Sequence, residues 1–338
     1  MSSQQAGRTR PTQRIRIGAD PFSMYGIVLS NDSLFIGDLH NGVIRLDRRS
    51  LKKVWSFSGE NLAPIAARDG VLLIAGSDGL RAVDEQGGKE LWGPRPIGPC
   101  IEWSKGVLTL RPLAVLDIRE GSIGRALNVS AELLGDPFIV GDMLVATSLK
   151  GDPVTAFHLG EERVVWTREL FAEVSARTGR PEPAFIVWSG DETFLVGRTD
   201  TLVGCSLLDG TILWDAPVGV PYYAPNATRG RAYVLAAGQI SPARFVCVDT
   251  RSGRNVYDIP QPSLRTADRP FRGTLAGEEI VFCTTRGLVI AFRLEDGITS
   301  WWHRSHERVA PAIAADGRIL VPTGNGELLV FEPGHEPI

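Results

Sequence analysis

Short apolar runs recur along the chain, and each is bounded by turns rich in glycine, aspartate or asparagine. In one stretch, the runs VLLIA (71–75) and LRAV (80–83) lie between turns at 68–70 (RDG), 77–79 (SDG) and 87–88 (GG). Short strands joined by Asp-Gly or Asn-Gly turns are typical of antiparallel hairpins. The pattern therefore predicts a series of small β-meanders.

The segment AVDEQGGKELW (82–92) marks a repeat. Asp84 precedes Trp92 by eight positions, and this offset recurs in six further segments. The other pairs are Asp47 and Trp55, Asp117 and Arg125, His158 and Trp166, Ser206 and Trp214, Asp249 and Tyr257, and Arg293 and Trp301. A fixed period near 40 residues is typical of β-propellers, in which each repeat is one four-stranded blade.

Prolines ahead of the first apolar strand of each unit mark the same period. There are eight of them, at positions 21, 64, 99, 137, 183, 225, 270 and 311. The eighth unit ends before its fourth strand, whereas the segment QRIRI (13–17) is an extra strand at the start. We therefore predict an all-β, eight-bladed β-propeller of four-stranded antiparallel blades, in which the N-terminal strand completes the last blade and closes the ring. The domain covers 13–338, after a disordered tail at 1–12.

The pattern A-x-D-x-x-x-G-K-x-x-W resembles the repeat of the pyrroloquinoline-quinone-like (quinoprotein alcohol dehydrogenase-like) β-propeller superfamily. The resemblance implies that the repeat aromatics pack against the neighbouring blade, the tryptophan-docking role. These residues are Trp55, Trp92, Trp166, Trp214, Tyr257 and Trp301. A tryptophan suits this role because it buries a large apolar surface and carries one N–H donor. The copy with Arg125 in this place is expected to form the weakest contact.

The resemblance does not extend to a quinone site. Members of the superfamily that bind the quinone have adjacent disulfide-bonded cysteines and a metal held by carboxylates, whereas the four cysteines here are far apart, at 100, 205, 247 and 283. We therefore predict no cofactor and no metal, and a quinone-dependent dehydrogenase is the least favoured function. A lipoprotein relative in outer-membrane assembly binds partner proteins, but the lipobox cysteine that it would need is missing near the N-terminus.

Charge and hydropathy indicate the compartment and exclude some partners. The formal net charge is −3, which gives no overall reason to expect nucleic acid or an anionic membrane as a partner. The N-terminal segment is polar and bears arginines, and no apolar run approaches the length of a membrane span. Separated cysteines fit free thiols of a reducing compartment. We expect a soluble, cytoplasmic protein.

The connections between blades are the expected location of a binding site, because they surround one mouth of the central channel. Two neighbouring connections are rich in basic residues: Arg265, Arg269 and Arg272 in the first, and His303, Arg304, His306 and Arg308 in the second. Arginine suits carboxylate and phosphate groups, so we predict that an acidic protein segment or an anionic small molecule binds there. The alternative is ordinary solvated charge, with Asp268 and Glu307 as internal partners.

Three other features have two interpretations each. The connection 167–182, with Arg177 and Arg180, is either a small helix that covers a blade edge or a lid that binds a partner. Tyr222 and Tyr223 form a ligand platform or fill the channel entrance. His303 and His306 could bind a metal, but no third ligand is evident.

No catalytic motif is recognisable in the sequence. The leading hypothesis is a non-catalytic scaffold or accessory subunit with a protein partner. The alternative is a small-molecule enzyme or binding protein, of lyase, cyclase or hydrolase type, with its site at the channel mouth.

Overall fold

The computed structural model contains 34 strands and one helix in the described residues. The structure describes 7–17, 24–38, 41–98, 100–110, 113–127, 135–148, 151–178, 185–188, 192–197, 201–221, 226–237, 243–261, 264 and 270–332. Two short strands come first, β1 (Gly7–Arg8) and β2 (Gln13–Arg16).

Blades 1 to 3 are four-stranded antiparallel sheets whose strands pair in chain order. Blade 1 contains β3 (Met24–Leu29), β4 (Ser33–Asp38), β5 (Gly42–Asp47) and β6 (Lys53–Phe57). Blade 2 contains β7 (Ala63–Arg68), β8 (Val71–Gly76), β9 (Gly79–Asp84) and β10 (Glu90–Arg95). Blade 3 contains β11 (Cys100–Trp103), β12 (Gly106–Leu110), β13 (Leu113–Leu116) and β14 (Ile123–Ala126).

Blades 4 and 5 have the same topology, with a helix between them in sequence. Blade 4 contains β15 (Gly135–Val140), β16 (Met143–Ser148), β17 (Gly151–His158) and β18 (Arg163–Arg168), and is followed by α1 (Leu170–Thr178). Blade 5 contains β19 (Phe185–Trp188), β20 (Thr193–Gly197), β21 (Thr201–Ser206) and β22 (Ile212–Pro217).

Blades 6 to 8 include the departures from this regular pattern. In blade 6, β23 (Val220–Pro221) and β24 (Asn226–Thr228) both pair with β25 (Arg231–Ala237), which is followed by β26 (Ala243–Asp249) and β27 (Asn255–Gln261). Blade 7 contains β28 (Thr274–Ala276), β29 (Glu279–Cys283), β30 (Leu288–Arg293) and β31 (Thr299–Arg304), with β1 as a fifth strand outside β31. Blade 8 contains β32 (Ile313–Ala315), β33 (Arg318–Pro322) and β34 (Glu327–Phe331), with β2 as its fourth strand.

The predicted fold is confirmed. The protein is an all-β, eight-bladed propeller, and the N-terminal strand β2 completes the eighth blade. The amide of Thr12 donates to the carbonyl of Val330 at 2.8 Å, and that of Ile17 donates to the carbonyl of Gly326 at 2.9 Å. These two bonds run in opposite order along the two segments, as in an antiparallel pair.

By contacts, the chain forms two compact units. One contains 13–134 and 322–329, and therefore blades 1 to 3. The other contains 135–321 with 1–12 and 330–338, and therefore blades 4 to 7.

Most described residues of the second and third strands of the blades are buried. All six residues of β4 are buried, including Ser33 and Asp38. In blades 6 and 7, Phe245, Phe282 and Phe292 form one aromatic cluster, in which Phe245 and Phe292 stack with ring centroids 4.6 Å apart. A strand with a sheet packed on each side cannot keep a polar face, so these strands are nearly continuous apolar runs.

The first turns of blades 2 and 8 are formed by Asp-Gly pairs. Asp69 and Gly70 both have positive φ, at 52° and 77°, as do Asp316 and Gly317, at 51° and 72°. Positive φ at both central residues defines the type I′ turn, whose twist matches that of the strands it joins.

The repeat aspartate closes the third turn of the blade. The Asp84 carboxylate accepts the amide of Gly87 at 2.6 Å, and Asp47 and Asp249 accept the amides of Ser50 and Ser252 at 2.7 and 2.8 Å. Where the sequence has His158 instead, its Nδ1 accepts the amide of Glu161 at 3.1 Å. In these four blades, an acceptor side chain at this position of the repeat holds the turn.

The structure differs from the expected disordered tail over part of its length. Gly7 and Arg8 pair in parallel with Trp301 and Trp302, and residues 9–12 continue to β2. Positions 1–6 lie outside the described residues. The polar composition of the tail gave no signal for this pairing, because it is made by backbone hydrogen bonds.

Candidate functional site

Five of the repeat aromatics contact the blade that follows them in sequence. The indole Nε1–H of Trp92 donates to the carbonyl of Ile118 at 2.9 Å, and Ile118 directly follows the repeat aspartate of blade 3. The equivalent bonds join Trp55 to Glu85 (3.0 Å), Trp166 to Leu207 (2.9 Å), Trp214 to Thr250 (2.9 Å) and Tyr257 to Leu294 (3.2 Å). Each satisfies the polar atom of a large, mostly apolar side chain.

In each of these five contacts, the glycine in the third turn of the following blade lies against the ring of the aromatic. Gly253 has a φ of +70°, and a Cβ at this position would lie 2.7 Å from ring atoms of Trp214. The equivalent pairs are Gly88 with Trp55, Gly121 with Trp92, Gly210 with Trp166, and Gly297 with Tyr257. Glycine is required both by the left-handed backbone and by the approach of the ring.

Trp301 makes a different contact. Its Nε1–H donates to Glu279 Oε2 at 3.0 Å within its own blade, and its ring stacks on Phe331 with centroids 5.2 Å apart. The backbone acceptor equivalent to those of the other aromatics would follow Glu332, beyond the described residues. The side chain of Arg125 is also outside them, so the expectation of a weak contact there stays a prediction.

Several candidate binding residues lie outside the described residues. They are Arg180, Tyr222, Tyr223, Arg265 and Arg269, and the same is true of Asp268. The hypotheses that concern them remain predictions.

Arg177 lies in the last turn of α1, away from the other basic candidates in sequence and fold. Leu170 and Val174 of this helix are fully buried in the core formed by blades 4 and 5. Asp152 caps the helix, since its carboxylate accepts the amides of Phe171 and Ala172 at 2.8 and 2.7 Å. Arg177 pairs with Asp215 at 3.6 Å. The helix therefore packs on the blades as the first of the two interpretations expects.

Arg272, Arg304, His306 and Arg308 are all exposed at one end of blade 7. The amide of Phe271, next to Arg272, donates to the carbonyl of Cys283 at the end of β29 at 2.7 Å. The amide of Ser305, next to Arg304, donates at 2.8 Å to the carbonyl of Gly287, in the turn between β29 and β30. Three connections of the blade are thereby held together.

This arrangement adds one residue that sequence reasoning missed. Arg286 is exposed in the turn 284–287, directly before the Gly287 that accepts the Ser305 amide. We call Arg272, Arg286, Arg304 and Arg308 the blade 7 arginine surface. The signal was available in the topology, because the turn after the second strand and the connection after the fourth strand of a meander lie at the same end of the sheet.

The four arginines of this surface form no ion pair with a carboxylate among the described residues. Elsewhere the chain provides such pairs, for example Arg229 with Glu278, joined by two bonds of 2.8 Å. Glu307 is exposed in the same connection, and its amide donates to Ser305 Oγ at 3.1 Å. The surface therefore presents four guanidinium groups and one carboxylate to solvent.

His303 does not belong to this surface, which differs from the sequence prediction. It lies within β31, is 4% exposed, and packs edge-on against Phe331 with ring centroids 5.3 Å apart. Its Nδ1 lies 2.9 Å from the carbonyl oxygen of Thr9, which can only accept, so Nδ1 carries the proton of this bond. His303 is buried because it lies two residues after Trp301 in the strand, and residues two apart face the same side of a sheet.

His303 and His306 are therefore not paired as metal ligands would be, since one is buried and the other exposed. Among the described residues, no three side chains of histidine, cysteine, aspartate or glutamate lie together as the ligands of a metal ion would.

An open groove of about 520 Å³ lies at the other end of blades 7 and 8, between their first turns. Its acidic side chains include Glu278, which is paired with Arg229, and Glu279, which accepts bonds from Ser300 and Trp301. Both carboxylates already have partners in the fold, so their role in this groove is structural.

The buried thiols are poorly reactive. Burial raises the pKa of Cys283 and of Cys205 to about 12, from an ordinary value of 9.0. Burial likewise raises the pKa of Cys247 to about 11. All four cysteines are free.

We expect alkaline pH to destabilise the protein through these thiols. Above about pH 9 the unfolded chain releases thiol protons that the folded state retains until its higher pKa, so the free energy of unfolding falls as pH rises from about 9 towards 12. Each thiol contributes at most about 1.4 kcal/mol per pH unit. Urea unfolding at several pH values between 8 and 11 gives the free energy of unfolding as a function of pH. This free energy should fall less steeply with pH for Cys283→Ala than for the wild type, and an equal fall would contradict the contribution of the Cys283 thiol.

Comparisons with known proteins agree with the fold. The family model described as outer membrane protein assembly factor BamB matches residues 63–303, more than half of the chain. Among solved structures, the computationally designed Ika8 protein aligns with a TM-score of 0.70 at 12% identity, over 96% of this chain and 100% of that one. BamB from Moraxella catarrhalis aligns with a TM-score of 0.66 at 13% identity, over 95% and 99%. Sqt1 from Saccharomyces cerevisiae aligns with a TM-score of 0.66 at 13% identity, over 96% and 99%.

No curated protein matches the chain in sequence. No helix in the described part of the chain is long and apolar enough to cross a membrane. The structural likenesses at this level of identity show the fold, whereas the family model matches the sequence of blades 2 to 7. The chain thus belongs to the pyrroloquinoline-quinone-like β-propeller family whose model is described as outer membrane protein assembly factor BamB.

Proposed function

We propose that this protein is a non-catalytic interaction propeller, a scaffold or accessory subunit that binds an acidic segment of a partner protein through the blade 7 arginine surface. The observation that carries the proposal is the exposure of Arg272, Arg286, Arg304 and Arg308 at one end of one blade, with no ion pair to a described carboxylate. Guanidinium groups bind carboxylates through charge-assisted, often bidentate hydrogen bonds.

Two further findings support a binding role. The family model takes its description from an assembly factor, a protein that acts together with other proteins. The open groove at the other end of blades 7 and 8 has its glutamates engaged in the fold, which gives no support to catalysis there. An anionic small molecule would be recognised by the same guanidinium groups, so the test includes both kinds of ligand.

We further propose that the protein works in a reducing compartment such as the cytoplasm. The support is that all four cysteines are free and that three of them are buried. Fractionation of the native cells with an antibody to the protein tests this, and recovery in a secreted or membrane fraction would contradict it.

The binding proposal is tested by fluorescence anisotropy with a labelled octaglutamate peptide. Arg304→Glu/Arg308→Glu should weaken binding about tenfold or more, because each reversal replaces an attraction by a repulsion. Binding by the wild type should also weaken as salt rises, since the surface is exposed. Inorganic phosphate as a competitor separates the two ligands: displacement at low millimolar concentration would indicate a small anion.

The control is Arg251→Glu/Arg254→Glu, which makes the same change in net charge. Both residues are exposed in the third turn of blade 6, and neither belongs to the blade 7 arginine surface. Equal loss of binding in the two double variants would show a response to net charge alone and would overturn the proposal.

A further inference from the structure

The N-terminal segment covers the outer edge of blade 7 beside the arginine surface. We call residues 7–12 the N-terminal strap. Gly7 and Arg8 lie opposite Trp301 and Trp302 in parallel, and the amide of Thr9 donates to the carbonyl of Trp302 at 2.8 Å. The strap then leaves β31, and the Thr12 amide bonds to Val330 in blade 8. Beyond Trp302, the strap no longer follows the strand.

The strap is held by few contacts. Arg8, Arg10 and Thr12 are exposed, and Thr9 and Pro11 are half-buried. Its attachments to β31 are the short parallel pairing, the bond from His303 Nδ1 to the Thr9 carbonyl, and the guanidinium of Arg8 at 5.9 Å from the centre of the Trp302 ring. Segments with little buried apolar surface open at low free-energy cost. The edge beneath it then presents unpaired backbone donors and acceptors, which can bind an added strand.

The charge of the strap is poorly matched to its surroundings. The strap carries Arg8 and Arg10. The strand that it covers ends at Arg304, and the connection that follows this strand contains Arg308. Like charges near one another repel, and opposite charges attract. An extended segment with acidic side chains would complement the same edge better, and by continuing past Trp302 it would reach the arginine side chains that the strap does not.

We propose that the N-terminal strap is a displaceable, autoinhibitory strand, and that an extended acidic segment of the partner replaces it by adding in parallel to β31. This inference rests on the proposed function and specifies how the partner binds: backbone pairing along β31 provides the anchor, and Arg304 and Arg308 select acidic side chains. Release of the strap is then the step that makes the edge accessible.

The test compares two substitutions at one position in the full-length protein. Thr9→Pro removes the amide that donates to Trp302, whereas Thr9→Ala retains it and removes only Oγ1, a buried atom without a hydrogen-bond partner in the structure. The probe is a labelled peptide of alternating valine and glutamate, with a valine–lysine peptide as its control. Thr9→Pro should bind the valine–glutamate peptide about tenfold more tightly than the wild type, Thr9→Ala should bind like the wild type, and the lysine peptide should bind to neither.

A second readout locates the peptide. Hydrogen exchange of Thr9→Pro with the valine–glutamate peptide should show added protection in 299–304, and unchanged thermal unfolding of the free variant would show that the fold is intact. Equal affinities of Thr9→Pro and the wild type would overturn the strap proposal, as would protection elsewhere. If Arg304→Glu/Arg308→Glu still abolished octaglutamate binding in that case, the proposed function would stand without the strap. If the charge reversals had no effect either, both would fail.

Discussion

Replacing Trp92 with alanine should lower the free energy of unfolding by about 3–5 kcal/mol, the usual cost of truncating a buried tryptophan. Trp92 is 7% exposed and packs in a core that includes Leu73 of its own blade and Val107 of the next. The substitution leaves a cavity in this core. It also deprives the Ile118 carbonyl of its 2.9 Å bond to the indole, which adds the cost of an unsatisfied acceptor.

The adjacent residue provides a matched control. Leu91 is on the same strand but is 44% exposed, so Leu91→Ala should cost less than about 1 kcal/mol. Both variants are measured by urea unfolding followed by circular dichroism. A loss below about 1 kcal/mol for Trp92→Ala would show that the repeat aromatic does not fasten blade 2 to blade 3.

Gly253→Ala should destabilise the protein by about 2–4 kcal/mol, because the alanine would have a strained backbone and its Cβ would collide with an aromatic ring. An alanine at a φ of +70° is strained, and its Cβ would lie 2.7 Å from the ring of Trp214, so the ring or the turn must shift. The shift would also disturb the bond from Trp214 to the carbonyl of Thr250.

Gly277→Ala separates the two terms. Gly277 has a similar φ of +62°, but no atom lies within 4 Å of the position that a Cβ would occupy. This variant should therefore show the backbone term alone, about 1–2 kcal/mol. Equal losses at Gly253 and Gly277 would mean that contact with the aromatic ring plays no part in the requirement for glycine.

The sequence was sufficient for the fold because one structural unit recurs with the same local chemistry. The apolar runs and the Asp-Gly turns predict the meanders, and the offset from Asp84 to Trp92 predicts their period. The structure adds the reasons: the carboxylate of Asp84 closes a turn, and the ring of Trp92 needs Gly121 beneath it. AVDEQGGKELW is in this sense a folding signal.

The candidate site was predicted less completely, and the reasons are physical. On sequence alone, His303 was placed in a connection between blades. Its position two residues after Trp301 would have placed it on the same, buried side of a strand. Arg286 was missed because sequence distance hides which turns share one end of a sheet. The strap could not be found from hydropathy at all, since it is attached by backbone bonds such as that from Thr9 to Trp302.

The central claim is that the repeat residues maintain the fold while the blade 7 arginine surface binds the partner. The most direct measurement determines two quantities, the free energy of unfolding and the affinity for octaglutamate, on the wild type, Trp92→Ala and Arg304→Glu/Arg308→Glu. We expect Trp92→Ala to lose about 3–5 kcal/mol of stability with unchanged affinity of the folded fraction. The charge reversals should lose about tenfold or more in affinity with stability unchanged within about 0.5 kcal/mol. Loss of affinity in Trp92→Ala, or retention of affinity in the charge-reversed variant, would contradict the account.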